Sequence, residues 1–311
     1  MPRVAVILAA YNAERYIVSA VRSVLAQTFT DFELVIVDDG STDNTLSLLR
    51  DIESSDPRVR VISRANTGQT QAAIDGINAS TAPLIARMDA DDLCKPDRLA
   101  KQVAAFDADP DLVLLGGAYD LIDPKGRLLT TVKQPLDNDT LQKICLTGRT
   151  PICQPLAMFR REAYDRAGGY DPQIHNAEDL DLWLRLGEVG KIACLPDVLL
   201  QYRQHSGSIS ESRQREQIEN QKCILLAAWK RRRLSGEPTI DTTEWRATGD
   251  RTSQYQQLTR YGWWAWHAGQ NRTALIYGLK AVASSPIRWE GWKITLTALL
   301  RTSPRARKSI D

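Results

Sequence analysis

The chain has 311 residues, of which 43% are apolar and 25% charged, with a formal net charge of +2. This is the composition of a soluble globular protein, long enough for one large domain and a smaller one, and it calls for no nucleic-acid partner. No apolar run approaches the length of a membrane span, and the five cysteines (Cys94, Cys145, Cys153, Cys194 and Cys223) show neither zinc spacing nor a disulfide framework. The small net charge hides an asymmetry: residues 1–210 carry a net −7 and residues 211–311 a net +9.

Met1-Pro2-Arg3 runs directly into a β-branched apolar stretch, Val4 to Ala9, which predicts a buried strand and no signal peptide. A helix is predicted over 13–27, with Ile17, Val21, Val24 and Leu25 on one face. Phe32 to Val37 predicts a second strand, ending in Asp38-Asp39-Gly40-Ser41, and Asp43 is placed to cap a helix over 44–54. Strands over 59–62 and 83–88 follow, separated by a helix over 68–79. Alternation with short loops predicts an α/β unit whose parallel strands are covered by helices on both faces. Beyond 96 come a helix over 96–108, an apolar run over 112–117, and a hairpin around Pro124-Lys125-Gly126 joining 118–123 to 127–132. A helix over 138–147, strands over 155–160 and 198–202, and a helix over 178–188 complete this part. From 212 the chain reads as helical, and seven of its eight tryptophans lie after residue 228. The predicted domains are therefore 1–211 and 212–311.

The chemistry concentrates at strand ends. Residues 87–92 read Arg87-Met88-Asp89-Ala90-Asp91-Asp92, three carboxylates within four positions after a buried strand. Uncompensated, that charge is costly; a divalent cation bridging to a diphosphate makes it sensible, while the plain alternative is a solvated acidic turn. Ligands of parallel sheets bind at the carboxyl ends of the strands, where Asp38, Asp39, Asp89 and Asp91 all fall. The turn after the first strand, Ala9-Ala10-Tyr11-Asn12, has neither GxGxxG nor GxxxxGK[ST], so no glycine-rich phosphate loop is available.

Six segments in order resemble the family 2 glycosyltransferases: Val4 to Asn12, Val37-Asp38-Asp39-Gly40-Ser41-Thr42-Asp43, Arg87 to Asp92, Gly168-Gly169-Tyr170-Asp171, Glu178-Asp179-Leu180-Asp181-Leu182-Trp183, and Tyr202-Arg203-Gln204-His205-Ser206. The resemblance covers about residues 3–210. It implies a GT-A fold, with a Rossmann-like mixed, mainly parallel sheet flanked by helices, followed by a C-terminal helical subdomain. It further implies an inverting, Mn²⁺- or Mg²⁺-dependent transfer from a UDP- or dTDP-sugar to a hydroxyl of a glycan or lipid-linked acceptor. Ala9 and Tyr11 match the loop against the nucleotide base, and Asp39 the acid that accepts from the base imide. Asp89 and Asp91 match the DXD motif, Asp91 for the metal and Asp89 for the ribose or a metal-bound water. Arg87 stands beside the diphosphate or in a structural salt bridge. Asp179 matches the general base, with Glu178 and Trp183 on the acceptor side; core packing is the other role open to Trp183. His205 matches a further metal ligand. Relatives carry an Arg-Asn pair where this chain has Ala73-Ile74, which leaves Arg64 or Arg87 as the substitute cation.

In the last hundred residues, Trp289, Trp292, Ile294, Leu296 and Leu299 are flanked by Arg301, Arg305, Arg307 and Lys308. They fit either a helix lying on a membrane surface or a helical subdomain with a basic tail. The expected location is cytoplasmic, with peripheral contact to the inner face of a membrane as an option that goes with the first of these readings. A nucleotidylyltransferase or a non-catalytic helical scaffold is the alternative reading.

Overall fold

The computed structural model describes residues 1–174, 176–205, 214–238 and 251–300. His175, Ser206 and the basic residues from Arg301 onward lie outside the described part. The chain divides into two compact units: Met1–Tyr119 with Lys133–Gln201 and Arg215–Thr242, and Asp120–Val132 with Tyr202–Gln214 and Thr243–Asp311.

The first unit begins β1 (Val4–Ala10), α1 (Ile17–Leu25), β2 (Phe32–Asp38), α2 (Thr45–Ser55), β3 (Val59–Ser63), α3 (Gln69–Asn78) and β4 (Leu84–Asp89). β1 is apolar on both faces because both faces are covered: Val4 to Leu8 are at most 1% exposed. Its neighbours on either side, β2 and β4, run parallel to it, and β3 runs parallel to β2. α3 lies close to this sheet because Gly76 has no side chain; a Cβ there would stand 2.7 Å from Ile7 Cγ2. Asp43 does not form the helix cap itself. Asn44 precedes α2, while Asp43 accepts from the Thr45 N–H at 3.0 Å in a turn just outside the helix.

β5 (Leu93–Cys94), α4 (Arg98–Ala108) and β6 (Leu112–Ile122) follow, so the apolar run over 112–117 and the first hairpin strand form one continuous strand. β7 (Leu128–Val132) returns beside β6, and α5 (Asn138–Cys145) starts at an Asp137 side chain that accepts from Thr140 N. A 3-10 turn, Gln154–Leu156, leads into β8 (Met158–Arg160) and α6 (Arg161–Arg166); α7 (Glu178–Val189) and β9 (Lys191–Arg203) complete the sheet. The strand order is β3-β2-β1-β4-β8-β6-β9-β5 with β7 on β6, and β8 is antiparallel to both its neighbours. The result is a mixed sheet whose parallel half carries the strand ends described below. α8 (Gln214–Arg231) packs on the first unit, where Trp229 Nε1 donates to Leu146 O at 3.4 Å and Arg232 Nη2 to Leu184 O at 2.7 Å.

In the second unit, α9 (Arg251–His267), α10 (Asn271–Ser284) and α11 (Trp289–Leu299) pack through small residues. A Cβ on Gly278 would meet Thr295 Oγ1 at 2.6 Å. The β6–β7 turn is anchored here by Asp123, which is 0% exposed and accepts from Arg127 Nε at 2.6 Å and Tyr277 Oη at 2.9 Å. Among the described residues no helix is long and apolar enough to cross a membrane.

Two measurements check this packing. Gly76→Ala is expected to cost about 1–3 kcal/mol through overpacking against Ile7, read as a lowered midpoint of thermal unfolding. Burial alone would raise the Asp123 carboxyl, but the bonds from Arg127, Tyr277 and the Lys125 N–H outweigh it and hold it below the usual carboxylate range. A depressed folded-state pKa stabilises above the unfolded value and is lost as pH falls through the folded one. Asp123→Asn is therefore expected to cost about 1–3 kcal/mol at neutral pH and progressively less in acid, measured by urea unfolding at several pH values.

Candidate active site

The register of the parallel strands gathers the first group of residues. Ala9 is opposite Val37 of β2 and Asp89 of β4, and Ala10 is opposite Asp38. The turn that follows is fixed by bonds to the loop after β2. Asn12 sits at φ +48°, its N–H donates to Ser41 Oγ at 3.0 Å, and its side chain accepts from Thr42 N at 2.8 Å. Between these anchors Tyr11 is left 51% exposed, an aromatic face held on a rigid turn.

Asp39 is buried and accepts from Thr67 N at 3.1 Å and Gly68 N at 2.8 Å, with Arg64 Nε 3.1 Å from its Oδ1. The carboxylate therefore shapes the loop entering α3. Gly40 beside it has φ +74°, and a Cβ there would stand 2.7 Å from Asn66 N, so this strand end admits only glycine. Asp38 is also buried; its Oδ2 accepts from Ser63 Oγ at 3.2 Å, while its Oδ1 has no hydrogen-bond partner.

Arg87 is 2% exposed. Its Nη1 donates to Ile7 O at 3.1 Å, and Nη2 lies 4.0 Å from Asp89 Oδ1. This places the guanidinium behind Asp89, in the salt-bridge position, rather than at an open surface. Arg98, fully buried, donates to the Arg87 carbonyl at 2.8 Å and adds a second cation below. The Asp89 side chain keeps 35% of its surface exposed. Even so, loss of surrounding water pushes its carboxyl up to about 6, with the Asp91 and Glu178 charges adding to the shift and Arg87 and Arg98 opposing it.

The second group comes from the start of α7. Glu178 is buried, and its Oε1 accepts from Gln69 Nε2 of α3 at 2.6 Å and Gln154 Nε2 at 3.3 Å. Asp179 is half-buried, and its Oδ1 accepts from Leu180 N at 2.8 Å. The two groups meet around Cys153: burial drives its thiol well above the ordinary range, and Asp92, Asp89 and Asp179 all reinforce the shift. Asp181 is committed to an ion pair with Arg185 of the same helix.

The placement of Trp183 corrects the acceptor-side expectation. It is 0% exposed, donates from Nε1 to Ile152 O at 3.0 Å, and packs against Phe159 at 6.2 Å, so it is a core residue. His205 belongs to the second unit, next to Gln204, whose N–H donates to Ile122 O at 2.8 Å; the carboxylates above all belong to the first. Arg64 pairs with Asp39 and Asp75, and Arg87 is buried, so both basic residues near the missing Arg-Asn pair already have protein partners. Gln154 and Arg98 were not singled out from the sequence. Both are interior supports, and only their contacts with Glu178 and Arg87 mark them.

Among the described residues, no group of three or more His, Cys, Asp or Glu side chains is arranged as a metal cage. The donor set fits a different mode: one or two hard carboxylate oxygens, with the rest of the coordination sphere left to phosphates and water, as Mg²⁺ and Mn²⁺ prefer. The Asp89 carboxyl, raised first by burial and then by the Asp91 and Glu178 charges, is a group whose ionised form such an ion would favour. Removing the Asp39 acceptor leaves two loop N–H groups without their bonds. Asp39→Ala is expected to cost about 1–3 kcal/mol, seen as an earlier thermal transition and faster amide exchange at Thr67 and Gly68.

Comparisons with known proteins bear on the fold and the family. Over 191 residues the chain is 35% identical to the chondroitin synthase of Escherichia coli, covering 61% of this chain but 27% of that protein, so it spans about a quarter of that relative's length. The structure of S. aureus TarS 1-349 in complex with UDP-GlcNAc has the same fold, with TM-score 0.61, 19% identity, and 96% and 92% of the two chains covered. The mannosyltransferase PcManGT from Pyrobaculum calidifontis, in complex with GDP-Man and Mn²⁺, gives TM-score 0.57 and 20% identity over 96% and 80%. The fold is GT-A, as the motif order implied. Residues 5–168 match the family described as Glycosyl transferase family 2, and the chain belongs to that family of glycosyltransferases.

Proposed function

We propose that the protein transfers a sugar, with inversion, from a UDP- or dTDP-linked donor to a hydroxyl of a glycan or lipid-linked acceptor. The observation that carries this reading is the junction of the strand ends with the start of α7, where Ala9 of β1 lies beside Asp89 of β4 and Gln69 and Gln154 hold Glu178. A donor site and a base belong at such a junction. The bound UDP-GlcNAc of TarS and the Mn²⁺ of the mannosyltransferase support the choice of donor class and ion.

In this reading Tyr11 stacks on the base, and Asp39 accepts the ring imide N–H while keeping its loop bonds. The Ala9 position, with no bulky side chain, lets the nucleotide lie against the strand end. Asp91 holds a Mn²⁺ or Mg²⁺ ion, and Asp89 orders the ribose or a metal-bound water. When bound, the ion offsets charge on the departing diphosphate. Arg87 acts from behind by keeping Asp89 ionised. Glu178, fixed by Gln69 and Gln154, has the rigidity to orient a sugar hydroxyl. Asp179 removes the proton from the acceptor hydroxyl as that oxygen attacks the anomeric carbon. The likeness to a chondroitin synthase supports a polysaccharide acceptor.

A panel of nucleotide sugars with Mn²⁺ tests the reading. Donor-dependent release of UDP or dTDP is expected, and no thermal shift with any nucleotide plus metal would sink it. Asp179→Asn is expected to keep donor binding and lose transfer by about 10²–10⁴-fold; retained transfer would remove the base assignment. His205→Ala is expected to raise the Mn²⁺ concentration needed for half-maximal rate, and an unchanged requirement would remove His205 from the ligand set.

A further inference from the structure

The second unit exposes one coherent apolar face. Trp289, Trp292, Leu296, Leu299 and Leu300 are 65, 42, 46, 58 and 70% exposed, and their spacing puts them on one stripe of α11 and its last turn. The opposite side of the same helix is filled by Gly291, Ile294, Thr295 and Ala298, which are buried. The helix therefore has its core face satisfied and a second apolar face turned to solvent. Ile287, just before it, is 98% exposed.

We propose that this stripe docks on an anionic lipid bilayer surface. Three observations select that occupant. Two of the exposed side chains are tryptophans, whose amphipathic rings favour the boundary between headgroups and acyl chains. The surrounding sequence is net basic: from Arg288 to Asp311 it has six basic residues, Arg288, Lys293, Arg301, Arg305, Arg307 and Lys308, against two acidic ones, Glu290 and Asp311. The four after residue 300 lie outside the described part and enter here as composition. Finally, α11 has 11 residues, about 16 Å of helix. That is half of a bilayer's hydrocarbon core, so the helix lies along the surface and does not cross it. A second copy fits less well, because it would pair two segments of the same net basic composition. The inference is independent of the donor and metal assignments above.

Flotation of the full chain with phosphatidylglycerol-containing vesicles, and with pure phosphatidylcholine vesicles, tests it. Binding to the first is expected to be strong at low salt and to weaken as salt rises, with little binding to the second. Trp289→Ala/Trp292→Ala, and separately Leu296→Ser/Leu299→Ser, are expected to reduce binding by about tenfold or more. Both variants are expected to stay folded, with thermal midpoints close to the parent's; the tryptophan variant loses the Trp292 Nε1–H bond to Pro286 O at 2.9 Å, and the leucine variant leaves it in place. No vesicle binding by the parent chain overturns the proposal. So does a dimer by light scattering that the variants dissociate while vesicle binding stays absent. Binding to anionic vesicles that both folded variants retain moves the lipid contact elsewhere and also overturns it.

Discussion

Like charge gathered at one end of a parallel sheet is the constraint on which this molecule depends. β2, β1 and β4 are in register, so their ends bring Asp38, Asp39 and Asp89 to one level, with Asp91 and Asp92 just beyond. The two sides of this edge are treated differently. Asp39 is neutralised locally by two loop N–H groups and Arg64. Asp89 is opposed from behind by Arg87 at 4.0 Å and by Arg98, and burial with neighbouring carboxylates outweighs both. The Asp39 carboxylate is satisfied within the protein. The raised Asp89 carboxyl suits a ligand set that includes a divalent ion and a diphosphate.

The interior supports follow from that edge. Arg87 and Arg98 are among the largest fully buried side chains, an expensive choice unless their charge is used. Arg98 bonds the Arg87 carbonyl, and Arg87 bonds the Ile7 carbonyl, so the strand carrying Asp89 is tied to the strand carrying Ala9 through the cations that oppose its charge. On the far side, Gln69 and Gln154 hold Glu178 from two different elements, fixing where α7 begins and hence where Asp179 stands. Packing and electrostatics are not separable here: the same contacts set position and charge.

The β1–β4 half was legible in the sequence because its strands are short, apolar and followed directly by their functional residues. The rest was less so, for physical reasons. β5 and β8 have two and three residues, too few to show a period, and exist only through pairing with β9, β4 and β6. β9 starts at Lys191, well before the apolar Val198 to Tyr202 segment; Ile192 and Cys194 alternate into the core there, but exposed Pro196 and half-buried Asp197 interrupt the apolar pattern. Trp183 stands one turn after Asp179 on nearly the same helix face, so the helical period does not tell that it is fully buried; only its packing shows that. The discontinuous make-up of the two compact units reflects contacts far apart along the chain, which composition does not carry.

The central claim is that a divalent ion and a nucleoside diphosphate complete the under-neutralised side of this edge. Anomalous scattering from a crystal grown with Mn²⁺ and UDP measures that directly. The account predicts a manganese peak against Asp91, beyond the end of β4, with the diphosphate on its open side. A manganese peak away from Asp91, or UDP bound at the strand ends with no metal in the presence of Mn²⁺, would contradict it.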